Sequence, residues 1–542
     1  MPVPVQDSEG PTDVLSQRQL ELDWLWKFYR CTNYEGRKYD WNGREQVGHI
    51  EHDVIAHTGQ IPPGFYDMGG TMVPIELRTP STPYYLTKVV VNRFTSLLFS
   101  SKRHPSIECD DPKTEDWLTG FAEATRLWSN MIRARTYGGG MGSVGIGFKF
   151  VNGTPHVEVH DPRWCTPEFD DKDLLTVGRF DKLYQYPDQV RNADGEWEEQ
   201  WFWYRRVITD KDDTVWPRVR AYAGEEPNWR EERHQTVAHN FGFCPIVWIQ
   251  NQQVDDSVDG DPDCHGIYEL SNRIDVLWSQ ADRATVANCD PSIVIQSDAE
   301  FDELKKGSGN AMQTEKGGSV KYMEMTGVGI EKAMALAEAL EERALTVARC
   351  MLDRNEGGPS KTATEVDHNY SSMTEQADIL REQYGERGVK MLLSMVLQAV
   401  RGMQTPKVER GETVSRIVRT VVKLPKKKVI DPKTGALVGW EAREVGQGDQ
   451  IELNWPQYFT PSKDVVKSAV DAAGKAKEYG LIDQDHAVGY ITEYFSVENK
   501  AEMIEKIKGE QKDLMGLEDA GVMPKTISGG GKTPGQGLFG GG

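Results

Sequence analysis

No stretch of this 542-residue sequence approaches 18 consecutive apolar residues, so no transmembrane helix is expected. The first residues, Met1 to Gln17, are polar and carry no apolar core, which argues against a secretory signal. Cysteine is scarce: Cys31, Cys109, Cys165, Cys244, Cys264, Cys289 and Cys350 are odd in number and form no Cys-x-x-Cys pair. Reduced, mostly structural thiols in a cytosolic setting are expected rather than a disulfide framework. Cations are in deficit. Lys and Arg number 63 against 84 Asp and Glu, a formal net charge of −21. Proteins that hold DNA by phosphate neutralisation concentrate Lys and Arg, so a simple nucleic-acid binder is disfavoured. A Gly-x-Ser-x-Gly elbow is also missing, as is a local cysteine-nucleophile signature.

What is present is a long, ordered alternation of patterns. The length predicts three or four folded units, and aromatics at 9% supply a core despite the low mean hydropathy. Residues 1–14 read as a disordered leader. Leu20, Trp24, Leu25 and Phe28 recur at helical spacing and predict a short amphipathic helix. Residues 33–82 look loop-like and carry no functional reading. Helices are predicted over Tyr85 to Ser100 and over Asp116 to Tyr137. Residues 140–250 look sheet-rich. A hairpin runs from Gly145 to His160 through Asn152-Gly153, which supplies the positive φ that a tight turn needs. A second runs from Lys182 to Ile208 through Asp194-Gly195, and Pro245 to Gln250 closes the segment as a strand.

An acidic linker, Asp255 to Asp263, leads into a helix with apolar positions at Ile267, Leu270, Ile274, Leu277, Ala281 and Ala284. It must stop at Asp290-Pro291, because the residue before Pro leaves the α region. A small insert follows: a strand over Ile293 to Gln296, a Lys/Gly/Ser loop over Lys305 to Gly318, and a strand over Val320 to Met325. A second helix is predicted from Ile330 to about Asp353, then a breaker-rich loop over 354–360. Ala363, Val366, Tyr370, Met373, Ala377, Leu380 and Tyr384 keep a 3-4 spacing that continues with Met391 and Met395. Thr362 and Glu365 make a capping box. This predicts one helix of about 40 residues, about 60 Å long, with Gly385 and Gly388 as a bend. Strands follow over 414–422, 437–445 and 451–455, polar helices over 462–512, and a Gly-rich tail that cannot bury apolar surface.

The run Gly138 to Gly147 invites a phosphate-loop reading. Its order is helix, glycines, strand, the reverse of a phosphate cradle, and it contains no Gly-Lys-Ser/Thr. A flexible helix-to-strand corner is expected instead. His49, His52 and His57 match no helical metal-ligand spacing, and solvated loop residues are expected. Asp259-x-Asp261-x-Asp263 opens like a calcium loop, but Cys264 stands where Gly is needed and Leu270 where Glu is needed. Carboxylates ahead of a helix N-terminus account for it. No catalytic residue, metal or cofactor is predicted.

The matched stretches are Val91-Asn-Arg-Phe94 to Phe99 with Pro105-Ser-Ile107; the Gly-rich corner and hairpin with Val157-Glu-Val159-His-Asp-Pro162; Phe241-Gly-Phe-Cys-Pro245 to Asn251; Pro359-Ser360-Lys-Thr-Ala363; and Lys477-Glu-Tyr-Gly480-Leu481-Ile482-Asp483. In this order, over about residues 15–510, the chain resembles the portal (head-to-tail connector) proteins of tailed double-stranded-DNA phages, in particular the long-tailed phage family. Lys361 stands where that family usually has Gly, and Asp483 where it has Ser.

The resemblance implies an α+β, multi-domain portal-type subunit that forms a ring. Its parts would be a wing over 15–264, a first stem helix over 265–290, a clip over 291–328 and a second stem helix over 329–353. A tunnel loop over 354–361, a long wing-spanning helix over 362–403, a β-rich wing return over 404–461, a helical crown over 462–512 and a disordered tail over 513–542 would follow. It implies a homo-oligomer of twelve copies at one capsid vertex of a virion, assembled in the host cytoplasm, with double-stranded DNA in transit through the axis. Partners would be the terminase large subunit, the major capsid and scaffolding proteins and a head-completion adaptor, with no membrane and no catalysis. Arg354, Asn355, Ser360, Lys361 and Thr362 would face DNA. Lys305, Lys306, Lys316 and Lys321 would dock partners on the clip. The competing expectations are a virion adaptor or scaffold without a channel, and a packaging-associated nuclease or ATPase.

Overall fold

The computed structural model describes residues 16–35, 78–100, 103–170, 173–191, 195–221, 226–289, 292–296, 319–323, 327–352, 363–404, 408–409, 412–413, 422–430, 437–458 and 463–479. The chain divides into two compact units, Met1–Trp455 and Pro456–Gly542, fewer than its length suggests. The fold is mixed helix and sheet, an α+β architecture. The expected leader, tunnel loop and tail, and the crown beyond residue 479, lie outside the described residues.

The first unit opens with helix α1 (Gln17–Arg30), started by a Ser16–Gln19 capping box. Its buried side chains are Leu22, Trp26 and Phe28, whereas Leu20 and Trp24 are exposed. The helix forms as its spacing predicts, but with another face inward. Trp26 stacks on Tyr29 of the same helix and on Tyr137, and Phe28 packs on Tyr268; Tyr137 and Tyr268 arrive from distant segments. Helix α2 (Leu86–Leu98) follows, buried on most of its surface. Strand β1 (Ser106–Cys109) precedes helix α3 (Pro112–Thr125), capped by Asp111. Then comes helix α4 (Leu127–Met141). The single helix expected over 116–137 is two, because Arg126 adopts φ 52° and ends the first.

Strands β2 (Ser143–Val151) and β3 (Thr154–His160) form the expected hairpin, with Asn152 and Gly153 both at positive φ. Next come β4 (Cys165–Asp170), β5 (Asp173–Arg191), β6 (Trp197–Ile208), β7 (Asp212–Arg220), β8 (Gln235–Ala238) and β9 (Ile246–Gln250). Strands β4 to β8 make a five-stranded antiparallel sheet in chain order. Strand β9 does not close that sheet. It pairs with β2, giving a second sheet of order β3-β2-β9. Cys165, Val177, Phe180, Ile208, Cys244, Ile246 and Trp248 form the core between the two sheets.

Helix α5 (Tyr268–Cys289) stops before Pro291, as expected. Strands β10 (Ser292–Gln296) and β11 (Ser319–Met323) pair antiparallel, Ser292 opposite Met323. Helix α6 (Val328–Val347) returns and packs on α5. A Cβ at Gly266 would lie 3.8 Å from Val347, so the pair meets near the first turn of one and the last turn of the other. The two helices are therefore antiparallel. Helix α6 ends six residues short of the expected Asp353.

Helix α7 (Ala363–Arg381), a π-helical segment (Glu382–Lys390) and helix α8 (Met391–Gln404) follow without a break. The expected bend at Gly385 and Gly388 is this π segment. Before it, Met373, Ala377, Leu380 and Tyr384 are buried; after it, Val389, Leu392, Leu393, Val396 and Val400 are. The extra residue of a π turn moves the core face, so Met391 is only half-buried. Short strands β12 (Val408–Glu409), β13 (Glu412–Thr413), β14 (Lys427–Ile430) and β15 (Leu437–Glu441) form two small hairpins. Strand β16 (Ile451–Asn454) pairs with β1, tying the end of this unit to its beginning. In the second unit the described element is helix α9 (Lys463–Glu478).

Candidate functional site

Helices α5 and α6 with the β10–β11 pair form a helix–hairpin–helix unit, and buried polar groups tie it to the rest of the first unit. Asp275 on α5 accepts the Tyr34 hydroxyl at 2.5 Å and the Tyr84 backbone N–H at 2.6 Å. Burial pushes the Asp275 carboxyl up, and these hydrogen bonds oppose the rise. Ser279 accepts the Thr82 N–H at 3.2 Å, and the Tyr84 hydroxyl donates to Glu341 on α6 at 3.1 Å. The segments around Tyr34 and 82–85 thus strap both helices. A buried carboxylate without such donors would be strongly destabilising.

A second polar knot lies just ahead of α5. Asp263 and Arg135 form an ion pair at 2.8 Å, both side chains at most 1% exposed. Asn251 donates to Asp263 at 3.0 Å and accepts the Tyr384 hydroxyl at 3.0 Å. The Asp263 N–H donates to the Gly139 carbonyl at 2.9 Å, and the Arg135 guanidinium lies 5.2 Å from the centre of the Tyr384 ring. Burial raises the Asp263 carboxyl, while Arg135 and Asn251 oppose it. Four elements meet here: α4, the end of β9, the entry to α5 and the π segment.

The glycine run is what lets them meet. Gly138, Gly139 and Gly140 are helical and buried, not a flexible corner. A Cβ at Gly138 would overlap the Tyr384 hydroxyl, and one at Gly139 would overlap Arg135. Gly142, at φ 95°, ends the helix. Nor is 255–263 a linker ahead of a helix dipole. Asp259 pairs with Arg18, Asp263 is core, and the segment packs on Gly142 and Ser143. Two of its carboxylates, Asp259 and Asp263, pair with Arg18 and Arg135.

Among the described residues, no three His, Cys, Asp or Glu converge as metal ligands. Burial pushes the Cys165, Cys244 and Cys350 thiols up to about 12, which leaves them un-ionised and unreactive near neutral pH. All seven cysteines are free thiols. His160 is buried, neither ring nitrogen makes a hydrogen bond, and burial drives the ring well below its ordinary value. Neither His160 nor the buried thiols Cys165, Cys244 and Cys350 are arranged as a nucleophile with a base.

Arg354, Asn355, Ser360, Lys361, Thr362, Lys305, Lys306 and Lys316 lie outside the described residues, as do His49, His52 and His57. Lys321 is on β11, its backbone paired with Val294. Just past the end of α6, Arg349 donates to Gln376 of α7 at 3.5 Å. Sequence reasoning missed Arg135, Asn251, Asp263, Asp275 and Tyr384. The available signal was an Arg one turn before three glycines inside a helical stretch. No family model and no curated protein matches the chain. Among the described residues no helix is long and apolar enough to cross a membrane.

Proposed function

We propose that this chain is a portal-type subunit. Twelve copies form a ring at one capsid vertex of a virion, after assembly in the host cytoplasm. Double-stranded DNA passes through the axis during packaging and ejection. The hairpin end of α5–α6 docks the terminase large subunit and then a head-completion adaptor, while the wings meet the major capsid and scaffolding proteins. The subunit itself performs no catalysis.

One observation carries this reading: two antiparallel helices joined by a small hairpin, rooted in a sheet-rich body by buried carboxylates and followed by a long interrupted helix. The outer surface of this pair supports it. Val286, Val328, Leu336 and Val347 are each more than half exposed or close to it, at 61, 53, 46 and 51%. Exposed large apolar side chains on both helices of the pair are surface that another protein would cover in this reading.

The charge balance fits a conduit. Each neutralised phosphate adds affinity, and affinity is friction for a moving strand. A twelvefold ring of this chain would carry about −250 charges, screened within about 10 Å at ordinary salt. Arg354 and Lys361 are the cations of residues 354–363, and in this reading they make transient phosphate contacts beside Asn355, Ser360 and Thr362. Negative-stain microscopy of the purified protein tests the reading. Rings with a central hole are expected; uniform 61.1 kDa particles under every assembly condition would refute it and favour an adaptor or scaffold.

A further inference from the structure

Helix α6 has two exposed flanks of opposite character. Its seam toward α5 is Ala337, Glu341, Ala344 and Leu345, all buried. At about 100° per residue, Glu331, Glu338 and Glu342 fall together on one side of that seam, and all three are exposed. On the other side fall Lys332, Leu336, Arg343 and Val347, also exposed. One flank is acidic. The other is basic and carries two of the large exposed apolar side chains of the α5–α6 pair.

Among the described residues, none of Glu331, Lys332, Glu338, Glu342 and Arg343 makes an ion pair. Glu338 and Glu342 stand one turn apart, where like charges repel, and no Lys or Arg lies three or four residues from either to relieve it. Mixed signs around an exposed helix would serve solubility alone. Segregated signs on opposite flanks do something else: they make the helix complementary to a second copy of itself, displaced sideways. Such a contact uses different surfaces on the two partners. It is heterologous, and repeats into a closed ring when its rotation closes.

We infer that α6 is the contact helix between neighbouring copies, with the Glu331–Glu338–Glu342 flank of one docking on the Lys332–Leu336–Arg343–Val347 flank of the next. This rests on the ring reading above and names the surface that would build it. Leu336 and Val347 supply the apolar centre of the contact. The charges set its direction and exclude a flank meeting its own kind.

The test uses two full-length variants. E338K/E342K makes both flanks basic, and K332E/R343E makes both acidic. Each alone is expected to remain a 61.1 kDa monomer by light scattering, with a circular dichroism spectrum and melting transition like those of the parent. Mixed in equal amounts, they are expected to assemble into particles containing both in a one-to-one ratio. If either variant assembles alone as the parent does, or if folded variants fail to assemble when mixed, the flank assignment is wrong while the ring reading stands. If the parent chain itself never assembles, the ring reading falls and this contact with it.

Discussion

A buried ion pair is costly to form and more costly to break. Arg135 and Asp263 lose almost all solvent, and what holds them is the geometry of Asn251 and the Gly139 backbone around them. Asp263→Asn leaves the guanidinium buried without its counter-charge. A loss of about 3–5 kcal/mol is expected, read as a shift of the urea midpoint at unchanged slope. Gly138→Ala tests the close approach. Intrinsic propensity favours Ala in a helix by about 1 kcal/mol, but its Cβ meets the Tyr384 hydroxyl. Overpacking of about 1–3 kcal/mol is expected to win. Tyr384→Phe removes that hydroxyl and strands Asn251, so it also destabilises alone. Because both changes act on one contact, the double variant is expected to lose less than the two single losses combined. His160 gives a pH signature. It is packed on Phe180 and faces Lys182, Arg206, Lys149 and Glu158. In the unfolded chain its ring titrates near 6.5, and in the fold well below that. The unfolded state therefore takes the proton first. Stability is full above about pH 6.5 and falls below it by up to about 1.4 kcal/mol per unit. His160→Phe is expected to flatten the melting temperature between pH 7 and 5. Below about pH 4.5, Glu158 adds a separate loss, because Arg206 and Lys149 hold its buried carboxyl near 2.

At the scale of elements, two breaks in helical runs have different origins. Between α3 and α4 the break is a single residue, Arg126 at φ 52°, and its side chain is exposed. A non-glycine residue pays about 1 kcal/mol to stay there. Arg126→Gly is therefore expected to leave stability unchanged or raise it by up to about 1 kcal/mol, whereas an alanine at a continuous helix site would behave oppositely to a glycine. Calorimetry on Arg126→Gly and Arg126→Ala separates the two. The π segment between α7 and α8 is held by its neighbours. A Cβ at Gly385 would come within 2.9 Å of the Trp455 ring, and one at Gly388 within 2.7 Å of Ile249. The widened turn sits where β9 and β16 press on the helix. Its glycines allow that approach, and the residue it inserts turns α8 so that Leu392, Leu393 and Val396 enter the core. Helix formation, the Asn152-Gly153 turn and the stop before Pro291 were legible in sequence, because each depends on residues within one turn of the chain; the caps at Ser16 and Asp111, though equally local, came from the structure. The inward face of α1 was not. Trp26 is buried because Tyr29 and Tyr137 cover it, and no local pattern encodes where Tyr137 will be.

For the whole molecule, the order of elements matters more than any one of them. The first unit closes on itself when β16 pairs with β1 and the 443–449 segment wraps α3 through Arg443, Asp116 and Asp111. Among the described residues, α5 and α6 leave apolar and charged side chains exposed. The proposed conduit makes one further prediction. Neutralising Arg354 and Lys361 together is expected to alter packaging rate or DNA retention in assembled particles without changing ring formation. Unchanged packaging, retention and ejection in that double variant would remove the tunnel-loop role. The seven thiols take no part in this: the most buried are held un-ionised by desolvation.

The sequence alone determined the succession of helices, hairpins and stops, since turn chemistry, capping and hydrophobic period act over a few residues. It also determined the acidic balance. Only the tertiary structure decided that the glycine run is core, that Asp263 is half of an ion pair with Arg135, that β9 joins β2, and which face of α1 is inward. Each of these depends on a partner dozens to hundreds of residues away. The free energy of such a contact resides in the desolvation and close approach of both partners, and neither is written in the segment that contributes only one of them.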